Sequence, residues 1–594
     1  MLKPRRGLLA MLASAALLSA CQSVDTDSAS SAQVSQPPAE SSASIKVNQV
    51  GFTPTATKMA VVPSNSADRF SLIPEGTNTA VYSGRLSASS TWDHSGETVK
   101  IADFSDFSRT GEYRIRVEGL PDSHPFSIAP DVYVDVNDAS LKAFYFNRAS
   151  TELLEEHAGI YARPAGHPDD QVKVHSSAAS RHRPEGTIIS GPKGWYDAGD
   201  YNKYIVNSGI TTYTLLAAYE HFPEYYAERE LNIPESGNGV PDLLDEIMWN
   251  LEWMLTMQDP NDGGVYHKLT TKRFEGRLMP HEATNQRYVV KKGTAAALNF
   301  AAVMAVASRV YADYEEDFPG FSTQALEAAE AAWQWAQANP DVTYRNPEDI
   351  HTGQYGDQTL FDEFGWAAAE LYITTGQDRY YEAIMADELA NVVPNWAESR
   401  GLAWMSLAHH RDNLTPIADQ RLIAKRIDEL AQELHAEWQE SAYRVPMRRS
   451  DFVWGSNAVA MNNAMMLLQG YRLKGDGEYL EAAQSLLDYV LGRNATGYSF
   501  VTGHGSKTPM HIHHRPSDAD GIEEPIPGFI AGGPQPGQQD GENCEEDGAS
   551  YPSDKPAKSY VDHWCSYASN EIAINWNAPL VYVSGAIQAL RQTD

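Results

Sequence analysis

Cysteine is scarce, with three residues in 594, at positions 21, 544 and 565. There is no CxxC pair or other zinc-type spacing, so neither a zinc ribbon nor a many-disulfide scaffold organises this chain. Basic residues are also few: 46 Lys and Arg stand against 79 Asp and Glu, a net charge of −33. Phosphate binding needs basic patches, so nucleic acid is not an expected partner. The N-terminal apolar run, Leu8 to Leu18, falls short of the ~20 residues of a membrane span. No βαβ alternation is visible, which argues against a parallel-sheet α/β fold.

What the chain does have is length and rings. At 594 residues it is too long for one ordinary domain, and 13 Trp with 30 Tyr make it aromatic-rich. Its N-terminus reads as an address: Lys3, Arg5 and Arg6, the short apolar run, then "LSAC". That tetrapeptide resembles the bacterial lipobox, which implies lipidation of Cys21. Gln22 then implies outer-membrane sorting, on the periplasmic or cell-surface face. Residues 22–44, "QSVDTDSASSAQVSQPPAESSAS", have no aromatic residue and no Leu or Ile, and read as a disordered tether. In an exported chain the remaining pair, Cys544 and Cys565, is expected to form a disulfide.

Two textures follow. Residues 45–130 hold about seven short strand-like runs with turns between them, the spacing of a small immunoglobulin-like sandwich. In "GEYRIRVEG", Tyr113, Ile115 and Val117 alternate with charged residues, predicting one buried face. No aromatic row is evident, so a structural brace is expected here ahead of a glycan binder. Residues 131–594 turn helical, with predicted helices over 294–311, 323–338, 362–376, 426–440, 456–473 and 477–492. Several are Ala-rich and apolar on more than one face, as inner-layer helices are. Periodicity leaves a closed toroid and a solenoid both open.

Three loop segments carry chemistry. "KGWYDAGDYNKY" (193–204) sets Asp197 and Asp200 three apart, among small residues and rings. "SFVTGHGSKTPMHIHHRPS" (499–517) crowds His511, His513, His514 and Arg515. Successive histidines on one strand diverge, so a metal cage trails a pair of sugar-facing donors, His513 and Arg515. "YVDHWCSYASNEIAINWNAPL" (560–580) sets Glu571 among apolar groups, which raise a carboxyl pKa as a general acid requires. Taken alone, a helix-start glutamate answering Ser569 or Asn570 as caps is the better explanation of Glu571.

Together these segments resemble the family 9 glycoside hydrolases, from about Ile45 to the end of the chain. The resemblance implies an (α/α)6 barrel preceded by the sandwich. It implies that Asp200 is the base activating water, Asp197 its partner in holding that water, and Glu571 the general acid. It also implies roles for His513 and Arg515 in the site and Asp562 as a supporting carboxylate. Trp195, Tyr196, Tyr201, Tyr204, Trp454, Tyr567 and Trp576 are candidate sugar platforms, each with core packing as the alternative. Trp195, Tyr201 and Tyr567 are the ones expected to bind substrate.

Many relatives bind zinc through cysteines and histidines, but Ala149 and Ser150 stand where a Cys-Gly pair is often found, so zinc is not expected. Calcium is common in the family, and Asp357, Asp362 and Glu363 offer hard oxygen ligands, with a helix N-cap as the rival explanation. No cofactor is needed for the chemistry. The expected protein is an outer-membrane-anchored monomer, an inverting endo-β-1,4-glucanase of the cellulase type. The alternatives are an exo-acting glucosidase or glucosaminidase, for which the insertion 532–559 would wall the cleft, and a glycan-binding lipoprotein that does not cut.

Overall fold

The computed structural model describes residues 44–386 and 388–592. Cys21, the leader and the 22–44 tether up to residue 43 lie outside the described residues.

Eight strands build the sandwich: β1 (Gly51–Phe52), β2 (Met59–Pro63), β3 (Arg69–Pro74), β4 (Tyr82–Arg85), β5 (Ser90–Trp92), β6 (Glu97–Asp103), β7 (Gly111–Val117) and β8 (Phe126–Ile128). One sheet runs β1-β8-β7-β3-β4 and the other β2-β6-β5. Tyr113, Ile115 and Val117 of β7 are buried, as their alternation predicts. The antiparallel register sets Phe70 opposite Val117 and Leu72 opposite Ile115, so apolar partners meet on the core face. The expected first strand shrinks to β1 and a single bridge from Lys46 to Val61 of β2, because Asn48 and Gln49 between them turn to the helical region. Asn48 Nδ2 donates to Asp488 Oδ1 at 2.9 Å, and the Gln49 side chain donates to the Gly497 carbonyl and accepts from the Ser506 and Lys507 amides. Trp92 stacks on Tyr443 at 4.3 Å. The sandwich is fastened along the barrel side, which is what a brace requires.

Twelve helices of seven or more residues follow among the described residues: α1 (Val134–Phe146), α2 (Ile205–His221), α3 (Asp242–Thr256), α4 (Thr294–Tyr311), α5 (Phe321–Ala338), α6 (Phe361–Thr375), α7 (Asp378–Ile384), α8 (Arg400–His410), α9 (Gln420–Glu440), α10 (Ser456–Lys474), α11 (Gly477–Val490) and α12 (Ile574–Gln592). The even-numbered helices pack each on the next, and α12 returns to α2. The ring is closed, and the solenoid alternative falls. The odd-numbered helices form an outer layer. Composition decides the layer: every residue of α4 except Arg309 is buried, its alanines letting neighbours approach from both sides. Outer α9 buries only the stripe Ile423, Ile427, Leu430, Ala431 and Leu434. Helix α4 is long and apolar enough to span a membrane, but most of it lies inside the barrel.

The inner helices all start at one end of the ring and finish at the other. At the finishing end a buried polar plug joins them. Arg309 of α4 bridges Glu220 and Glu370, and Arg472 of α10 donates to His221 and His409 at 2.8 Å each. At the starting end lie long loops and a small sheet, β10-β9-β13-β12-β11, made of β9 (Val172–Val174), β10 (Ile188–Ile189), β11 (Lys203–Tyr204), β12 (Lys268–Thr270) and β13 (Tyr288–Val289).

Candidate active site

The three chemistry-bearing segments, the first of them about 300 residues before the other two, meet at this starting end. Ala198 bridges Ala573, His513 bridges Glu571, and the Ile574 amide donates to the Asp197 carbonyl at 2.9 Å. The Arg515 amide donates to the Gly199 carbonyl at 3.3 Å. Gly199 is the crossing point. A Cβ there would stand 2.2 Å from the His513 carbonyl oxygen and 3.2 Å from Glu571 Oε1. The small residues between the two aspartates are thus a steric requirement.

Asp197 and Asp200 are both buried, 1% and 5% exposed. Asn207 Nδ2 donates to Asp197 Oδ1 at 2.6 Å and the Tyr355 hydroxyl to Oδ2 at 2.7 Å. On Asp200 every donor falls on Oδ2: the Asn202 amide at 3.3 Å, the Asn202 side chain, and the Tyr204 hydroxyl at 3.0 Å. Oδ1 is left without a protein donor, free to take a proton from water. Burial, then the charge of Asp200, pushes Asp197 up to about 8. Its two donors favour the ionised form and work against that rise. Glu571 is raised well above the carboxylate range by burial and by the charges of Asp200 and Asp197, with Arg515 opposing. A protonated Glu571 thus shares the site with the Asp197–Asp200 pair.

His513 Nδ1 lies 2.7 Å from the Trp564 carbonyl, and its ring stacks on the Trp564 indole at 4.3 Å. Burial holds it down at about 4, so it is neutral near pH 7, with Nδ1 the donor and Nε2 the acceptor. Asp562 accepts from the Met510 and His511 amides at 2.9 Å and from Asn570 Nδ2 at 3.1 Å. It supports the site by clamping the histidine loop. His514 is a core histidine, against Asn147 and Ser517.

Several expected platforms are corrected by burial. A sugar needs an open ring face, and Trp195 has none: it is fully buried and its Nε1 donates to Glu246 Oε1 at 2.7 Å. Tyr201 is 2% exposed, packed on Tyr196 and His167, with its hydroxyl on the Leu278 carbonyl. Tyr196, Tyr204 and Trp576 are likewise buried. Arg515 is also mostly spent on protein, bonding the carbonyls of Gly199, Glu275 and Gly276. Tyr567 is half-buried and packs at 5.2 Å on Trp454, which is 44% exposed. This pair does present ring surface.

The residues that sequence reasoning missed come from other inner-helix loops: Tyr355 before α6, Asn207 inside α2, Trp396 packed on Tyr355, and Arg277 over Trp564 at 4.3 Å. Tyr355 lies 158 residues from its partner Asp197, and nothing local announces the contact.

Ala149 is fully buried with Tyr196, Tyr201 and Ala283, and Ser150 Oγ donates to the His167 carbonyl at 2.7 Å. Asp357, Asp362 and Glu363 gather at the start of α6, where Asp362 and Asp357 raise Glu363 beyond the effect of burial. No group of three or more His, Cys, Asp or Glu among the described residues closes into a metal cage. Asp357 Oδ2, Asp362 Oδ1 and Glu363 Oε2 are nonetheless buried without a partner. Adjacent buried carboxylates need either protons or a hard cation to offset their repulsion.

Comparison with known proteins agrees with this architecture. The model of glycosyl hydrolase family 9 matches residues 133–584, and that of the cellulase N-terminal ig-like domain matches residues 40–122. A xyloglucan-specific endo-beta-1,4-glucanase of Bacteroides ovatus is 45% identical over 565 residues, covering 92% of this chain and 94% of its own. Endoglucanase D of Acetivibrio thermocellus is 32% identical over 547 residues, 91% of this chain and 82% of its own. A solved Bacteroides ovatus family 9 structure superposes with a TM-score of 0.86 at 42% identity, over 93% of this chain and all of its own. With the ring of twelve helices, the leading sandwich and the convergent carboxyls in place, the chain belongs to glycoside hydrolase family 9.

Proposed function

We propose that this glycoside hydrolase cleaves β-1,4-glucan chains internally, with Asp200 as base and Glu571 as acid. The observation that carries the assignment is the meeting of Glu571 with Asp197 and Asp200 around Gly199. Glu571, kept protonated by burial and by two neighbouring carboxylates, gives its proton to the leaving glycosidic oxygen. Asp200, held through Oδ2, takes the proton of a water that attacks the anomeric carbon from the opposite face. Asp197, fixed by Asn207 and Tyr355, orients that water. One displacement inverts the anomeric carbon, so a β-linked substrate releases an α-anomer.

The similarity to enzymes named for endo-β-1,4-glucanase activity supports a β-1,4-glucan substrate, xyloglucan among the candidates. Trp454 and Tyr567 suit such a chain, because a half-open pair of rings stacks on pyranose faces. An NMR time course on a soluble β-1,4-glucan should show the α-anomer first; β first would mean a covalent intermediate and different roles. Long products early in digestion support internal cleavage, and release of glucose alone favours the exo alternative.

Two further proposals concern the setting. Calcium, held by Asp357, Asp362 and Glu363, would neutralise the orphaned oxygens and fix the loop carrying Tyr355. Adding calcium to chelator-treated protein should raise its melting temperature by a few degrees, and no change would remove the site. Lipidation at Cys21 would tether the enzyme to the outer membrane. Cys21→Ser should then leave the detergent phase on partitioning, and unchanged partitioning would remove that idea.

A further inference from the structure

Lys268, on β12, has no part in the reaction as described, yet its ammonium group is fully buried beneath the carboxylate pair. It has three hydrogens and donates to three neutral acceptors: Asn346 Oδ1 at 2.9 Å, Thr352 Oγ1 at 2.9 Å and the Gly353 carbonyl at 2.6 Å. None is a carboxylate. A buried cation without a contact counter-ion is costly unless negative charge lies close by. Here that charge is supplied across an aromatic ring. Nζ sits 5.4 Å from the centroid of Tyr204, and the Tyr204 hydroxyl donates to Asp200.

A second path runs through hydroxyls. Thr352 and Thr270 are 2.7 Å apart, Thr270 Oγ1 lies 3.0 Å from Asn202 Oδ1, and the Asn202 side chain donates to Asp200 Oδ2. Thr352 also leads, three residues on, to Tyr355, which donates to Asp197. Lys268 therefore ties together every side chain that aims a donor at Asp200, and the loop that aims one at Asp197.

We propose that Lys268 is a positioning residue for the reaction, a buried counter-charge that lets the Asp197–Asp200 pair carry negative charge and keeps Tyr204 and Asn202 aimed at Asp200. The electrostatics agree: burial drives Lys268 down to about 7, against the pull of Asp200 and Asp197. The other groups facing this cluster are Tyr344 and His267 beside Lys268, and Tyr355, Glu571 and Arg515 beside the carboxylates. Arg515 is spent on carbonyls and offsets Glu571, which leaves Lys268 as the cation behind the base.

This proposal rests on the reading of Asp200 as base, and the test separates the two. Initial rates on a soluble β-1,4-glucan are measured across pH for wild type, Lys268→Met, Lys268→Arg and Asp200→Asn, with melting temperatures beside them. Lys268→Met should lower kcat about tenfold or more and move the acid limb of kcat/KM upward by roughly one pH unit, with KM within about threefold. Lys268→Arg keeps the charge and should keep the acid limb in place even where kcat falls. An unmoved acid limb in Lys268→Met, or an equal displacement in Lys268→Arg, overturns the proposal. Should Lys268→Met not fold, Thr352→Val cuts the hydroxyl path while leaving the charge. It should lower kcat severalfold with the acid limb fixed, and a wild-type kcat overturns the positioning role. An active Asp200→Asn would instead defeat the base assignment, whatever Lys268 does.

Discussion

At the scale of single residues, the site separates chemistry from aim. Asp200→Asn should abolish turnover while ligand binding persists, because the amide fills the same space and takes no proton. Glu571→Gln should do the same for sugar leaving groups and far less for an activated aryl leaving group. Asp197→Asn should be milder than Asp200→Asn, because the remaining amide oxygen can still accept from Asn207 and the residue orients the water without taking its proton. Kinetics of the three on one aryl and one unsubstituted substrate check the set, and equal damage on both substrates in Glu571→Gln would count against its role. Gly199→Ala should be as damaging as a catalytic change, since its Cβ would meet the His513 carbonyl at 2.2 Å and backbone must move. A Gly199→Ala enzyme with near-normal kcat would show that the crossing is looser than described.

The carboxyls proposed as acid and base were picked out by three motifs agreeing in order, because Glu571 taken alone reads as a helix-start glutamate. Trp195, Tyr201 and Tyr204 were misjudged for a physical reason. A ring beside a catalytic aspartate packs under it as readily as over a sugar, and residue type does not reveal which side is wet. Tyr355, Asn207 and Lys268 were invisible because their roles exist only once distant loops converge.

At the scale of elements, the apolar inner helix α4 and the striped outer helix α9 announce themselves by composition, and the expected span 294–311 agrees with α4 as observed. Helix α2 was missed because it is buried on nearly every face while carrying Asn207, Ser208, Thr211, Thr212 and Thr214, which erases any apolar period. The expected disulfide is present: Cys544 and Cys565, 21 residues apart, have Cα atoms 5.0 Å apart. It pins the 532–559 insertion to the segment that carries Trp564, Tyr567 and Glu571. Asp540 Oδ2 accepts from the Ala568 amide at 2.6 Å beside it. Cys544→Ser with Cys565→Ser should cost about 3 kcal/mol at most by loop entropy. With Tyr567 read as a platform for the glucan chain, hydrolysis of a long glucan should suffer more than hydrolysis of a small aryl glycoside. Equal losses on both would assign the bridge to global stability alone.

At the scale of the molecule, buried ionisable groups set the response to acid. Burial holds His267, His409 and His514 near 3, so they resist the protons that an unfolded chain takes up below about 6.5. Stability from these groups is lost as pH falls. Buried Asp138 and Asp488, raised to about 6, do the reverse, binding protons earlier in the fold and gaining stability as pH falls from 6 to 4. The two sets oppose each other over that window. Below about 4 the carboxyls are protonated in either state. The histidines remain, joined by Asp259, which Lys292 and Asn261 hold at about 2 against its burial. Each such proton steepens the loss by about 1.4 kcal/mol per pH unit. The melting temperature should be nearly level from pH 6 to 4.5 and collapse below 4. A steady decline beginning at 6.5 would show the histidines unopposed.

The common direction of the inner helices has one more effect. Each helix N-terminus carries about half a positive charge from its aligned peptide groups, and each C-terminus about half a negative one. Six such dipoles point the same way. Their positive ends surround the loops that hold Asp197, Asp200 and Glu571, while Arg309 and Arg472 sit at the negative ends. Within about one turn of those N-termini the backbone therefore favours negative charge on the loops of the site. In a chain of net charge −33, the cleft is the place where the main chain itself supplies the missing positive charge.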